Sequence, residues 1–250
     1  MRTSAIIAFG AALCLGAAPA LAHTTIHDQA TEGVTADNSF KVEHTCALDD
    51  GSWVPVIAQS AVIPIDSPVL TSSDGSAVKS LGDVIQATDL RGLAKPIQDK
   101  SVFRSLQLKL DALGNVIGWS GTGGAMTPGD NSPGRIPFQF AAPKFQANSC
   151  AAKLAVKISI ADICVPGLGM SDSVQDGKVN LWIPDNGSQF VTVGKANGAD
   201  EGIGAPATLT INRNLTTNPM PASCGAGTTV TVTSNPKEVD ANLPIPGYWP

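Results

Sequence analysis

Short runs in which apolar and polar residues alternate recur along most of the chain, and a two-residue period marks a half-buried strand. Phe40-Lys41-Val42-Glu43-His44 sends Phe40, Val42 and His44 to one face and Lys41 and Glu43 to the other. Trp53 to Ile65 reads as a second strand region, interrupted at Pro55 and Pro64. Phe103 to Asp111 alternates, turns at Ala112-Leu113-Gly114-Asn115 and resumes at Val116-Ile117-Gly118-Trp119, which is the pattern of a β-hairpin. Further strands are expected at Ile136 to Phe140, Leu154 to Ile160, Lys178 to Trp182, Ala207 to Asn212 and Thr228 to Thr233. In Lys178 to Trp182 the period sets Val179 and Leu181 opposite Asn180 and Trp182. Gly82 to Leu93 reads as a short helix or a loop, Gly121 to Gly134 as a loop, and the tail from Pro244 as irregular. No fixed-period repeat is visible. The expected class is all-β: an immunoglobulin-like β-sandwich with a C-terminal β extension.

Composition narrows the setting. Residues 1–22 carry a basic start, an apolar run from Ile6 to Leu15 and an Ala20-Leu21-Ala22 end, the pattern of a Sec-type signal peptide. No later stretch approaches the ~20 apolar residues of a membrane span, so no transmembrane segment is expected and the product should be periplasmic or secreted. The net charge is −5 with scattered basic residues. That excludes nucleic acid as an expected partner, because phosphate binding needs a clustered basic face. Of 5 cysteines, Cys14 lies in the leader, which leaves Cys46, Cys150, Cys164 and Cys224. An even number in an oxidising compartment points to two disulfides, with three connectivities open.

The candidate chemistry gathers at the start of the exported chain. All 3 histidines, His23, His27 and His44, lie there, and His23 follows the expected cut. Processing would turn its backbone nitrogen into a free α-amine, and that amine with the ring Nδ1 closes a six-membered chelate. Both nitrogens lose their protons at mild pH, and nitrogen donors of this kind suit Cu(II). His44 and Glu43 are the candidate further ligands, and His27 is within reach if the start is extended. The equally ordinary alternatives are a frayed terminus at His23, a strand-end imidazole bonded to backbone at His44 and a solvent-facing carboxylate at Glu43. Trp182 reads as a core or rim residue whose ring would shield a neighbouring metal. Met126, Met170 and Met220 are isolated, without the paired pattern of a Cu(I) site. Gly118-Trp119-Ser120-Gly121 is not a nucleophile elbow.

Four stretches taken in order resemble the YcnI-like family of exported copper-binding proteins. They are His23-Thr24-Thr25-Ile26, Val42-Glu43-His44-Thr45-Cys46, Gly114 to Gly121 closing on Trp119-Ser120-Gly121, and Ile160 to Cys164 followed by Asp176 to Trp182. The resemblance covers residues 23–184 and divides the chain into a leader (1–22), a copper-binding sandwich (23–184) and an extension (185–250) without counterpart in the family. It implies a Cu(II) cofactor held by His23, with Glu43 or His44 as second-strand ligand and Trp182 beside the metal. It also implies the disulfide Cys46–Cys164, which leaves Cys150 and Cys224 to tie the extension to the sandwich, and as partner a copper transporter or membrane copper protein. Two other classes are weighed against it. A copper-dependent enzyme oxidising polysaccharide needs a second, distant histidine, and none follows His44. A structural or adhesive secreted protein would make the histidine at the cut a coincidence.

Overall fold

The computed structural model describes residues 24–48, 50–124, 126–167, 169–175 and 177–249, with nothing stated of the side chains of 172 and 173. In chain order the strands are β1 (Thr24–Ile26), β2 (Ala30–Thr31), β3 (Thr35–Val42), β4 (Cys46–Ala47), β5 (Trp53–Val54), β6 (Ala58–Val62), β7 (Val69–Ser72), β8 (Ala94–Pro96), β9 (Phe103–Leu110), β10 (Val116–Gly124), β11 (Gly134–Ala141), β12 (Ala151–Ile163), β13 (Val179–Trp182), β14 (Ala207–Asn212) and β15 (Thr228–Thr233). Among the described residues three short α-helices join them: α1 (Met170–Ser173), α2 (Gln189–Ala196) and α3 (Pro236–Asn242). The protein is therefore mostly β. A four-stranded sheet, β1-β3-β11-β8, faces a curled nine-stranded sheet whose main path is β2-β14-β12-β6-β10-β9.

β12 is the axis of the larger sheet. Its first half pairs with β14 and, in parallel, with β15; its second half pairs with β6 and β13. The segment after residue 184 thus contributes two strands to the same sheet as the chain before it. The alternation that marks β12 explains its burial. Leu154, Val156, Ile158 and Ile160 point between the two sheets, while Ala161 and Ile163 point to the far side.

The interior between the sheets is built around three aromatic rings. Phe40 and Phe138 from the small sheet lie 4.9 Å apart, and Trp119 from the large sheet lies 5.5 Å from Phe40 and 5.9 Å from Phe138. All are essentially inaccessible. Burial of such rings is worth several kcal/mol each, and truncating one to alanine typically costs ~3–5 kcal/mol.

A second apolar layer covers the outer face of the large sheet. Ala58, Val62, Ala161, Ile163, Val179 and Leu181 pack there against Phe190 and Val191 of α2, Val239 of α3, and Trp249. Neither α2 nor α3 stands out against the Gly-, Asn- and Thr-rich background, yet each carries a start signal. Ser188 accepts from the Val191 amide and Asn235 from the Glu238 amide, and Pro236 occupies the first turn of α3.

Glu238 fastens α3 to the sandwich. One carboxylate oxygen accepts the amides of Ile65 and Asp66 at 2.7 and 2.8 Å, with the Ser234 hydroxyl beside the carboxylate. Burial, with a smaller push from the Asp66 charge, raises its pKa above the ordinary glutamate value, against the pull of those two amides and the Ser234 hydroxyl. A raised folded-state pKa gives stability that is fully present below the unfolded pKa and is lost as pH rises through the folded one. Glu238→Gln keeps the accepting oxygen and removes the charge. Thermal melts from about pH 4 to about pH 7 should show the variant gaining on the parent as pH rises. A constant difference would contradict the burial of a charge here.

Candidate functional site

The even-residue face of β12 continues past Ile160 to Asp162, which places a carboxylate between the two sheets at only 4% exposure. Three side chains from three strands donate to it. Gln59 Nε2 of β6 reaches Oδ1 at 2.7 Å; Thr24 Oγ1 of β1 and Trp182 Nε1 of β13 both reach Oδ2 at 2.9 Å. Thr24 belongs to the small sheet and the others to the large one, so the carboxylate joins the layers. Burial drives the Asp162 pKa up, and the donors Gln59, Thr24 and Trp182, with the charge of His44 when protonated, pull it back.

Thr24, Asp162 and Trp182 line a small pocket with Val42, Glu43, His44, Val56 and Asn180. Five pieces of chain meet here because of register. Thr24 lies opposite Val42 in the β1–β3 pair, Asp162 lies opposite both Asn180 and Gln59, and Ile160 opposite Trp182. The disulfide Cys46–Cys164 fixes the arrangement from behind, with Cα atoms 6.3 Å apart. It links the segment two residues after His44 to the strand two residues after Asp162, and Asn180 Nδ2 lies 3.6 Å from Cys46 Sγ. The second disulfide, Cys150–Cys224, sits at the other end of β12 with Cα atoms 5.1 Å apart. These are the two expected pairings: Cys46–Cys164 from the resemblance and Cys150–Cys224 as the pair that remains.

The individual site residues divide clearly. His44 lies beyond the end of β3, its ring edge-on to Trp53 with centroids 5.0 Å apart. Its Nδ1 is 2.5 Å from the Thr45 carbonyl. A carbonyl only accepts, so Nδ1 carries the proton, and in the neutral ring the lone pair is on Nε2. Glu43 is held at 2.8 Å by Lys41, both about one-third exposed. His27 belongs elsewhere, its Nδ1 2.6 Å from Asp28 Oδ2 at a cleft shared with Asp37, Asp99 and Arg135. Met126, Met170 and Met220 do not line the pocket. His23 lies outside the described residues. Among the described residues no group of three or more His, Cys, Asp or Glu side chains is placed to hold a metal ion.

Trp182 is sequestered as well as bonded. A side chain on Gly202 would overlap the Leu181 carbonyl and come within 2.5 Å of the Trp182 ring, so only glycine lets that loop lie flat on β13. Asp162, Gln59 and Thr24 had no marker of their own in the sequence. The available signal was the β12 period itself, since the 154, 156, 158, 160 series continues to a carboxylate at 162.

No protein family, curated protein or solved structure matches the chain. Among the described residues no helix is long and apolar enough to cross a membrane.

Replacing Asp162 by alanine strands a hydroxyl, an amide and an indole N–H in the interior, each costing ~1–3 kcal/mol. Urea unfolding of Asp162→Ala should show a loss of about 3 kcal/mol or more. Asp162→Asn should lose clearly less, because Gln59 can turn its amide to accept from the new NH2 while Thr24 and Trp182 still donate. Equal, small losses for both variants would mean that the cluster is not a structural tie.

Proposed function

We propose that this is an exported copper-binding protein of YcnI-like type, which captures or delivers Cu(II) without turnover. The observation that carries the reading is the position of Thr24. The residue next to His23 is 3% exposed, bonded to Asp162, and part of the pocket that also contains His44, Glu43 and Trp182. In a chain cut after Ala22, the new α-amine would come one residue ahead of that anchor. The two disulfides fit an oxidising compartment, and a copper transporter or membrane copper protein is the partner class in keeping with the reading.

The donor chemistry fits. The α-amine and ring of His23 would be the principal ligands, and His44 the next, with its Nε2 lone pair open once the ring is neutral. Glu43 is the weaker candidate because Lys41 already neutralises it, and Asp162 has both oxygens engaged. When bound, Cu(II) would be a cargo held by nitrogen donors, with the Trp182 ring and the apolar Val42 and Val56 limiting water at its flank.

Copper titration of protein beginning at His23, against protein with one extra residue before it, tests the reading. The extra residue turns the amine into an amide, and affinity should fall at least tenfold, about 1.4 kcal/mol. His23→Ala should lose more, and His44→Ala more than Glu43→Gln, since Cu(II) prefers imidazole to a lone carboxylate. Binding should weaken below about pH 6 as protons compete for histidine. Equal affinity for cut and extended protein would end the proposal.

A further inference from the structure

Sheet edges invite further strands unless they are short, charged or interrupted by proline. Most edges here obey that rule. β1 has 3 residues, β2 has 2, β7 and β13 have 4 each, and β8 has 3 including Lys95 and Pro96. β9 does not. It is 8 residues long, contains no proline, and among the described residues pairs only with β10. Its lysine does not guard the edge, because Lys109 Nζ is committed to the carbonyls of Asn242 and Pro244 at 2.5 and 2.7 Å. Along one face run Leu106, Leu108 and Leu110. Leu106 packs partly on the core, whereas Leu108 and Leu110 are 50% and 51% exposed.

We propose that β9 is a self-association edge, pairing antiparallel with β9 of a second copy across a two-fold axis at Leu108. A two-fold contact must be self-complementary, and antiparallel partners directly opposite share a face, so the axis must fall on a residue. Centred on Leu108, Leu106 faces Leu110 of the second copy, Leu108 faces Leu108, Gln107 faces Lys109, and Ser105 faces Asp111. Every leucine meets a leucine and no like charges oppose. Centring on Leu106 or Gln107 sets Arg104 against a leucine, and centring on Lys109 sets two lysines face to face. The sequence of the strand therefore selects one register, and the large sheets of two molecules become continuous through it.

Sedimentation velocity of the processed protein from ~1 to ~100 μM, a span that resolves a micromolar equilibrium, tests this. A concentration-dependent dimer is expected. Leu108→Lys, which places like charges at the axis, and Leu110→Glu should each weaken it at least tenfold. Leu215→Lys, at a leucine 53% exposed elsewhere, should leave it unchanged. Leu108→Cys should give a disulfide-linked dimer under mild oxidation, and Leu215→Cys should not. A monomer throughout the range overturns the proposal, and so does a dimer that survives both β9 substitutions or a Leu108→Cys protein that fails to cross-link.

Discussion

A carboxylate enclosed between two sheets is costly unless donors surround it, and the arrangement around Asp162 is organised by that cost. Gln59, Thr24 and Trp182 each give it a hydrogen bond, and each comes from a different strand. Satisfying one charge therefore fixes where β1 leaves the small sheet and how β13 sits on the large one. The Cys46–Cys164 disulfide limits the same region from the other side. An apolar pair at these positions could close the sandwich as well, but would leave the start of β1 free to slide or fray. The carboxylate gives a specific position to the start of β1.

Much of the fold was legible from periodicity. The strands at Phe40–Val42, Phe103–Leu110, Ala207–Asn212 and Thr228–Thr233 are plain in the alternation because one face of each is wet or only half covered. The alternation marks only Leu154 to Ile160 of β12, the middle of a strand of 13 residues. Its last turn of alternation contains Asp162, and a carboxylate there argues for solvent until its three donors are known. Those donors lie 20 to 138 residues away in sequence, so no local pattern could announce them. α2 and α3 leave no clear pattern in the sequence for a related reason. They are 8 and 7 residues long and held mainly by packing against the outer sheet face.

The site was partly legible. Trp182 was placed on the face opposite Val179 and Leu181, and the two faces do belong to different cores. His44 and Glu43 were marked as a pair of alternatives, and their surroundings separate them: an imidazole with one nitrogen spoken for, and a carboxylate already paired with Lys41. His27, equally a histidine near the start, is drawn to the Asp28 carboxylate at a different cleft. What distinguishes these residues is which neighbours fold beside them, and that depends on register between β1, β3, β12 and β13.

Under the proposed function, the Thr24–Asp162 bond sets the start of β1 beside the pocket, and a chain cut before His23 binds Cu(II) through amine and ring together. Pulsed electron paramagnetic resonance on the Cu(II)-loaded, processed protein, prepared with and without nitrogen-15 histidine, addresses that claim directly. The account expects nitrogen couplings from both a bound amine and a bound imidazole, each shifting with the label, and loss of the amine coupling when a residue precedes His23. A spectrum without an amine nitrogen, or one indifferent to the histidine label, would contradict it.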